Sequence, residues 1–388
     1  MSIRSRQLFA VAVLLGLVLA AGMALYGCDQ PLPTNPSANR GQPWRIGYYE
    51  GGSYADYAGG LCGLGHGLAE LGWIEPTDLP VQKSETDSYS LWQHLATEVD
   101  SRYIQFVPDG YWSADWRIEQ RAINRSQAID RLQRQELDLI IAMGTWAGED
   151  LATDEHQVPV LVFRSNDPVR AGIIDSAQDS GLDHVMAETD PDRFLRQARL
   201  FHDIFDFRRL GVAYDKSAAG QVYSNVPELR KIAEERAFEL VECQLSPVAE
   251  DEEDMAVATE VCYRQLAPAV DAVWIGAGIG EQPKFMPDIL EPLMGARLPT
   301  WSSMGTEAVR RGTLMSVSLP ADYTVLGHWY ATCIAQVLDG ANPRDLEQVF
   351  EAPMDIAINL ETARRIGFDP PKGLLQAADT VFDDIERE

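Results

Sequence analysis

The sequence predicts an α/β protein of two lobes, each built around a parallel sheet, and three observations carry that expectation. From about residue 44 onward, short apolar runs alternate with amphipathic segments. One run, "LDLIIAM", is apolar on both faces, as an interior strand of a parallel sheet must be. The alternation passes through two successive series, each of which closes with right-handed crossovers.

Taken in order, "WRIGYY" reads as a strand, followed by a glycine-rich loop and a helix through "GGLCGLGHGLAELGW". Gly59, Gly63 and Gly67 fall at i, i+4 and i+8, hence on one helical face. There they let the helix pack close to a neighbour or let a ligand reach the backbone. "RYIQFVP" is the next strand, "RSQAIDRLQRQ" a helix, "LDLIIAM" a strand, "GTWAGEDLATD" a helix and "VPVLVFR" a strand. The second series has helix "DRFLRQARLFHDIF", strand "RLGVAY", helix "NVPELRKIAEERAF", strand "ELVECQL", helix "DMAVATEVCYRQLAP" and strand "VDAVWIG".

With 388 residues, 46% apolar and 23% charged, the chain has the balance of a folded protein and room for two domains. The formal charge of -27, with five lysines among the 32 basic residues and no basic stripe, repels phosphate backbones and excludes nucleic acid as a partner. Such acidity suits salty surroundings, where self-repulsion is screened.

The N-terminus carries Arg4 and Arg6 ahead of an apolar run ending in "LYGC", which reads as a secretion signal. The last four residues resemble the bacterial lipoprotein processing box, so residues 1–27 would be a lipoprotein signal peptide and Cys28 the lipidated first residue. At about 18 residues the run is also long enough to stay as a membrane anchor. Either reading puts the rest of the chain outside the cytoplasm. Asp29 resembles the signal that keeps lipoproteins on the inner membrane. Residues 28–43, rich in proline and polar residues, form a flexible tether. Of the other cysteines, Cys243 and Cys262 are the favoured disulfide, since each lies near an element end of one unit; buried free thiols are the alternative for these and for Cys62 and Cys333. Cys62 and His66 are one helical turn apart but lack the second pair a metal site needs.

In open parallel sheets ligands sit outside the carboxyl ends of the strands. That rule selects the loop 49–54, Tyr111 and Trp112, the loop 144–146, Asn166 with Asp167, Tyr214 with Asp215, and the loop 276–280.

"RIGYYEGG" with "GLGHGLAELGWIE", "LDLIIAMGTWAGEDL", "VPVLVFRSNDPVRAGII", "RLGVAYDKSAAG", "LPTWSSMGTEAVRRGTLMSVSLPADYTVLGHWYA" and "INLETARRIGFDPP" resemble, in that order and spacing, the extracytoplasmic solute-binding proteins of ABC importers. The branch is the one that includes tryptophan and phenylalanine binders. Asp-Pro-Val at 167–169 and Asn-Leu-x-Thr-Ala at 359–363 are its most particular pieces. The resemblance implies a type I periplasmic-binding-protein-like clamshell: two Rossmann-like lobes joined by three crossovers, with the solute trapped between them. Crossings near 166, 303 and 341 would make one lobe from 44–165 with 303–340 and the other from 166–302 with 341–388. Two features depart from the family. "GAGIGEQ" stands where a polar or acidic residue is common, so an amino acid ligand does not carry over directly, and residues 84–101 look like an insertion that alters access.

The candidate ligand contacts are Tyr49, Glu50, Tyr54, Trp112, Thr145, Trp146, Asp167, Tyr214, Gly278 and Ser302. Thr145 and the free N–H groups of its helix suit a carboxylate or another anion, unless Thr145 only caps its helix. Asp167 suits an ammonium or hydroxyl, unless it is a plain cap. Glu50 suits a cation, unless it is a solvated acid. The aromatic side chains suit a planar, aromatic or sugar-like solute, though any one of them can simply be packing. "GAGIG" lacks nucleotide-loop spacing, and neither G-x-S-x-G nor H-E-x-x-H occurs. The expectation is a monomeric, lipid-anchored, non-catalytic binding protein that needs no cofactor or metal and serves an ABC permease. A sensory module signalling to a membrane kinase or cyclase is the alternative.

Overall fold

The computed structural model describes residues 36–76, 79, 87–165, 167–245, 252–277, 285–318 and 323–387. The signal segment, Cys28, Asn166, Gly278 and the rest of "GIGEQ" lie outside the described residues. The described chain forms two compact units: residues up to 191 with 323–352, and 192–318 with 353–387.

The first unit holds a five-stranded parallel sheet of β1 (Trp44–Glu50), β2 (Ile104–Ser113), β3 (Leu139–Met143), β4 (Val160–Phe163) and β5 (Val185–Ala187), in the order β2-β1-β3-β4-β5. Its strands alternate sides in single-residue steps. Leu139, Ile141, Met143, Leu161 and Phe163 join one core cluster, while Ile140, Ala142, Val160 and Val162 join the other. A sheet buried on both faces requires the doubly apolar runs seen in the sequence. The helices Ala55–Glu70, Ser88–Thr97 and Thr324–Leu338 cover the first face. Ile118–Gln133 and Thr145–Leu151 cover the second.

One local expectation changes here. The strand "RYIQFVP" does not end at its proline. Between Ile46 and Tyr48 of β1 the partner residue moves from Phe106 to Tyr111, so β2 bulges around Pro108 and resumes. An edge strand tolerates a proline at such a bulge. Tyr111 and Trp112 therefore belong to the strand and not to the loop after it. The segment 84–101, read as an insertion, contributes the helix Ser88–Thr97, whose Leu91, Trp92 and Leu95 are buried in the first core. Trp92 Nε1 donates to the carbonyl of Val107 at the bulge (3.0 Å), tying this helix to the sheet.

The glycine face of Ala55–Glu70 packs against Thr324–Leu338, as the spacing predicts. A Cβ at Gly63 would lie 2.6 Å from the carbonyl oxygen of Tyr323 and 3.2 Å from Cα of Gly327. One at Gly67 would lie 2.7 Å from the Gly327 carbonyl oxygen. Only glycine permits that approach.

The second unit holds seven strands: β6 (Arg209–Asp215), β7 (Glu239–Leu245), β8 (Ala272–Ile275), β9 (Thr300–Ser302), β10 (Met315–Ser318), β11 (Asp355–Asn359) and β12 (Thr380–Phe382). Their order is β12-β11-β10-β9-β8-β6-β7, and only the β10 and β11 pair is antiparallel. Arg193–Phe205 and Val226–Arg236 pack on one core cluster, and Glu252–Leu266 and Met286–Gly295 on the other. Cys243 on β7 and Cys262 on Glu252–Leu266 form a disulfide, whereas Cys62 and Cys333 are thiols outside any disulfide.

The chain changes unit after residue 191, between 318 and 323, and after residue 352, later than the crossings expected near 166, 303 and 341. The reason is strand pairing. β5 pairs with β4, which keeps 167–191 in the first unit, and β10 pairs with β9, which keeps 303–318 in the second. The stretch 343–350 stays with the first unit because Gln348 holds it there: its Oε1 accepts from the Ala187 N–H (3.2 Å) and its Nε2 donates to the Ser176 carbonyl (3.2 Å).

Candidate functional site

The carboxyl ends of β1 to β4 place four loops of the first unit side by side. After β1, Gly51 and Gly52 leave the backbone bare, and the indole of Trp116 lies on it. A Cβ at Gly52 would sit 2.6 Å from Trp116 Nε1, and one at Gly51 would sit 3.0 Å from both the Trp116 ring and Trp146 Cβ. Trp116 N–H donates to the Gly51 carbonyl (3.0 Å) and Nε1 to that of Ser53 (3.3 Å). Asp115 and Trp116 both occupy the left-handed region, at φ 49° and 60°. Two such residues in a row, one of them bulky, are an unfavourable backbone that persists where the surroundings impose it.

Trp116 stands 5.5 Å from Trp146, edge to face at 70°, and 6.4 Å from Tyr57, which in turn lies 5.3 Å from Tyr54. Trp116 and Tyr54 are 47% and 53% exposed, a partly open aromatic surface. Beneath it Arg121 lies over the Trp146 ring (4.6 Å). Its Nε contacts both Asp150 oxygens (3.0 Å each), and its Nη2 reaches Glu149 (2.7 Å). The hydroxyl of buried Tyr49 also donates to Asp150 (2.8 Å). Burial and the Asp150 charge push the Tyr49 phenol well up, so it stays a donor.

The Gly144-Thr145 break sits beside this surface. Gly144 has φ 89°, and a Cβ there would overlap the Tyr57 hydroxyl. It is also the N-cap of Thr145–Leu151, so Thr145 is the first helical residue rather than the cap. Thr145 Oγ1 lies 3.2 Å from Ser165 Oγ at the end of β4, a pair of hydroxyls on adjoining loops.

The other expected contacts take different places. Tyr49 and Trp112 are cross-strand neighbours turned into the second core, with Arg131 over the Trp112 ring (5.5 Å). Glu50 is fully buried rather than solvated and accepts from Tyr48 (2.9 Å) and Tyr111 (2.8 Å). Loss of hydration raises its pKa, against the opposing pull of those phenols. Asp167 closes its own turn: its Oδ1 accepts from Arg170 N–H (3.0 Å) and its carbonyl from Ala171 N–H (3.0 Å), the capping alternative. In the second unit Tyr214 follows Leu210 and Val212 into the core, donates to Glu242 and accepts from Gln244 (3.0 Å). Ser302 is buried, and its hydroxyl accepts from Met304 N–H (3.1 Å). Of the ten candidates, the structure thus brings Tyr54, Thr145 and Trp146 together at the loops of the first unit. Trp116, Tyr57, Arg121 and Ser165 join them without having been expected. The signal for Trp116 was present in "YWSADWR", whose last aromatic falls past the strand end.

Two mostly parallel sheets with helices on both faces, and loops gathered at the strand ends, define the type I periplasmic-binding-protein fold. The fold matches an ABC domain from Streptococcus pneumonia in complex with L-Trp (TM-score 0.56, 20% identity, 87% of this chain and 100% of that one). It also matches the ligand-free, open structure of a substrate-binding protein with adhesive properties from Clostridium difficile (TM-score 0.64, 16% identity, 88% and 100%). A conserved domain protein from Vibrio cholerae matches as well (TM-score 0.56, 19% identity, 88% and 100%). No functionally curated protein matches the chain. Residues 117–382 match the family model of the ABC transporter substrate binding proteins, and the chain belongs to that family. Membership makes it an extracytoplasmic small-molecule-binding component of an ABC transporter.

Proposed function

We propose that the chain captures a solute with a planar or aromatic body and delivers it to the permease of an ABC importer, working as a monomer without catalysis. The observation that carries this reading is Trp116, half exposed, laid on Gly51-Gly52 in a left-handed backbone and braced edge to face by Trp146. A residue whose backbone is held in the left-handed region while its ring stays open to solvent is suited to stacking on a ring. The hydroxyls of Thr145 and Ser165 alongside supply the polar contacts that orient a solute. Anchoring through lipid on Cys28 completes the reading, on the strength of "LYGC".

Protein freed of ligand by unfolding and refolding is titrated with aromatic amino acids, nucleosides and sugars, following tryptophan fluorescence and melting temperature. One class should raise the melting temperature and change the fluorescence, and Trp116→Ala should weaken both responses at the same solute concentration. No response to any class would overturn the reading. Fractionation of cells making the full chain, with Cys28→Ser alongside, tests the anchor: the wild type should partition with membranes and the variant should not.

A further inference from the structure

Arg164, the residue after β4, occupies the left-handed region at φ 59° without being glycine. Such a backbone is unfavourable and persists only where neighbours impose it. The neighbour here is Glu188, the residue after β5. The ladder between the two strands includes a bond from the Val160 N–H to the His184 carbonyl (2.8 Å) and one from the Glu188 N–H to the Val162 carbonyl (2.8 Å). The next rung of a parallel ladder would take the Arg164 N–H to the Glu188 carbonyl. Glu188 Oε2 accepts it instead, at 2.8 Å, so a side chain ends the pairing and turns the chain. That carboxylate is itself held in place. The hydroxyl of fully buried Tyr330 donates to the same oxygen (2.7 Å) while its ring stacks on Phe163 at 3.9 Å, and the Arg164 guanidinium lies 3.8 Å from Oε1.

What the turn delivers is Ser165. From the neighbouring strand β3, the Gly144 N–H donates to the Phe163 carbonyl (2.8 Å) and so seats Thr145 next to the end of β4. The Thr145 and Ser165 hydroxyls then meet at 3.2 Å. A glycine and a backbone hydrogen bond set the Thr145 half of that pair, whereas the Ser165 half follows from the Glu188 side chain.

We propose that Glu188 is a positioning residue for solute recognition: it imposes the left-handed turn at Arg164 that brings Ser165 to Thr145, and so sets the affinity for the hydrogen-bonding end of a solute. The proposal rests on the reading of these loops as the solute site. A carboxylate suits the task, because one of its oxygens can accept both donors while the other still faces the guanidinium. Its own place at the end of a paired strand makes the support rigid, as a group that orients a binding side chain needs to be.

The full chain, freed of ligand, is titrated calorimetrically with L-tryptophan, L-tyrosine and adenosine, and amide hydrogen exchange is followed across 160–165 without solute. Glu188→Ala is made together with Tyr330→Phe, so that no buried hydroxyl is stranded, and is compared with Tyr330→Phe alone. The added change should speed exchange at the Arg164 amide about tenfold or more and weaken binding of the responding solute about fivefold or more. Adding Ser165→Ala should then cost nothing further, because its hydroxyl is already displaced. Adding Arg164→Gly instead should recover affinity to within about twofold, since glycine takes the left-handed turn unaided. A residue that only stabilised the unit could not be bypassed in this way. Unchanged affinity in the Glu188 variant beside a loss in Trp116→Ala overturns the proposal and leaves the reading of the site standing. Unchanged affinity in both, or no binding of any of the three solutes, overturns that reading as well. Losses from Glu188→Ala and Ser165→Ala that simply add, or no recovery with Arg164→Gly, would show that Glu188 does not act through this turn and would also overturn the proposal.

Discussion

Gly63 and Gly327 meet backbone against backbone: a Cβ on Gly327 would overlap the Gly63 main chain, and one on Gly63 would crowd Cα of Gly327 at 3.2 Å. The contact joins a helix from the start of the first unit to one from its returning segment, so it fixes how the later segment docks. Alanine at Gly327 must push two helices apart. Overpacking of a tight contact costs about 1–3 kcal/mol, and here main-chain atoms cannot yield by changing rotamer. Gly327→Ala should therefore lower the unfolding free energy measured by urea titration by an amount at the upper end of that range. A change under about 0.5 kcal/mol would show that the helices separate freely.

Trp116→Ala removes an exposed ring and should cost little stability, while affinity for the identified solute falls on the order of tenfold or more. Thr145→Val keeps the size and removes the hydroxyl beside Ser165. It should weaken binding by about fivefold with the aromatic response intact. Calorimetric titration of both variants separates the ring contact from the polar one, and equal affinity of Trp116→Ala and wild type would remove this surface from the site.

The interior strands were legible because burial on both faces leaves a purely local mark, the unbroken apolar run of "LDLIIAM" or "VPVLVF". The glycine face of Ala55–Glu70 was legible for the same reason, since its spacing depends only on the helix itself. What escaped depends on distant partners. β5 is three residues long and becomes a strand only by pairing with β4, so no window of sequence reveals it or the later crossover it implies. β2 continues past Pro108 only because β1 can pair on both sides of a bulge. Trp116 gains its place from a left-handed backbone and from Gly51 and Gly52 more than sixty residues earlier, while Tyr49 and Trp112, which look alike in sequence, face inward because of where their strands lie.

His156 and His184 make stability depend on pH. The rings lie 5.1 Å apart and both are buried. His156 Nδ1 accepts from Val158 N–H (3.2 Å) and Nε2 faces the Leu151 carbonyl (3.1 Å), an arrangement that suits the neutral ring. His184 Nε2 faces the Thr153 carbonyl (2.9 Å). Burial holds both pKa values below the ordinary 6.5, and for His156 the neighbouring ring adds to this; Glu155, Asp154 and Asp183 oppose it only in part. The unfolded chain therefore binds protons first as pH falls. Stability from this pair is complete above the unfolded value and is lost as pH drops below about 6.5 toward the folded values. The melting temperature should fall from about pH 7 to about pH 5, and His184→Gln should flatten the slope; an unchanged slope would assign it to other groups.

The disulfide between Cys243 and Cys262 closes a loop 19 residues long on an edge strand of the second unit. The chain-entropy model assigns such a loop about 3 kcal/mol. Reduction, or Cys243→Ser with Cys262→Ser, should lower stability by that order, and an unchanged melting temperature on reduction would show the bond is absent in solution. Cys62, partly buried, should react with thiol reagents in the folded protein, and buried Cys333 only after unfolding.

Arg121 and Asp150 couple the buried core to the aromatic surface. The Asp150 side chain is 6% exposed and is compensated by Arg121 and Tyr49, while the same guanidinium lies over Trp146, which braces Trp116. Arg121→Gln leaves Asp150 buried beside a single phenol, and breaking a buried pair from one side costs about 3–5 kcal/mol, less here because the Arg121 side chain remains 23% exposed. Asp150→Asn removes the charge from the other side, and the double variant should be less destabilised than the two single changes added together, since the stranded charge is gone. If the pair also orients Trp146, each single variant should alter the tryptophan fluorescence of the ligand-free protein and weaken solute binding, although neither group touches the exposed face of Trp116. Additive losses with unchanged fluorescence would mean that the ion pair stabilises only its own helices and that Trp146 is held by Gly51 and Trp116 alone.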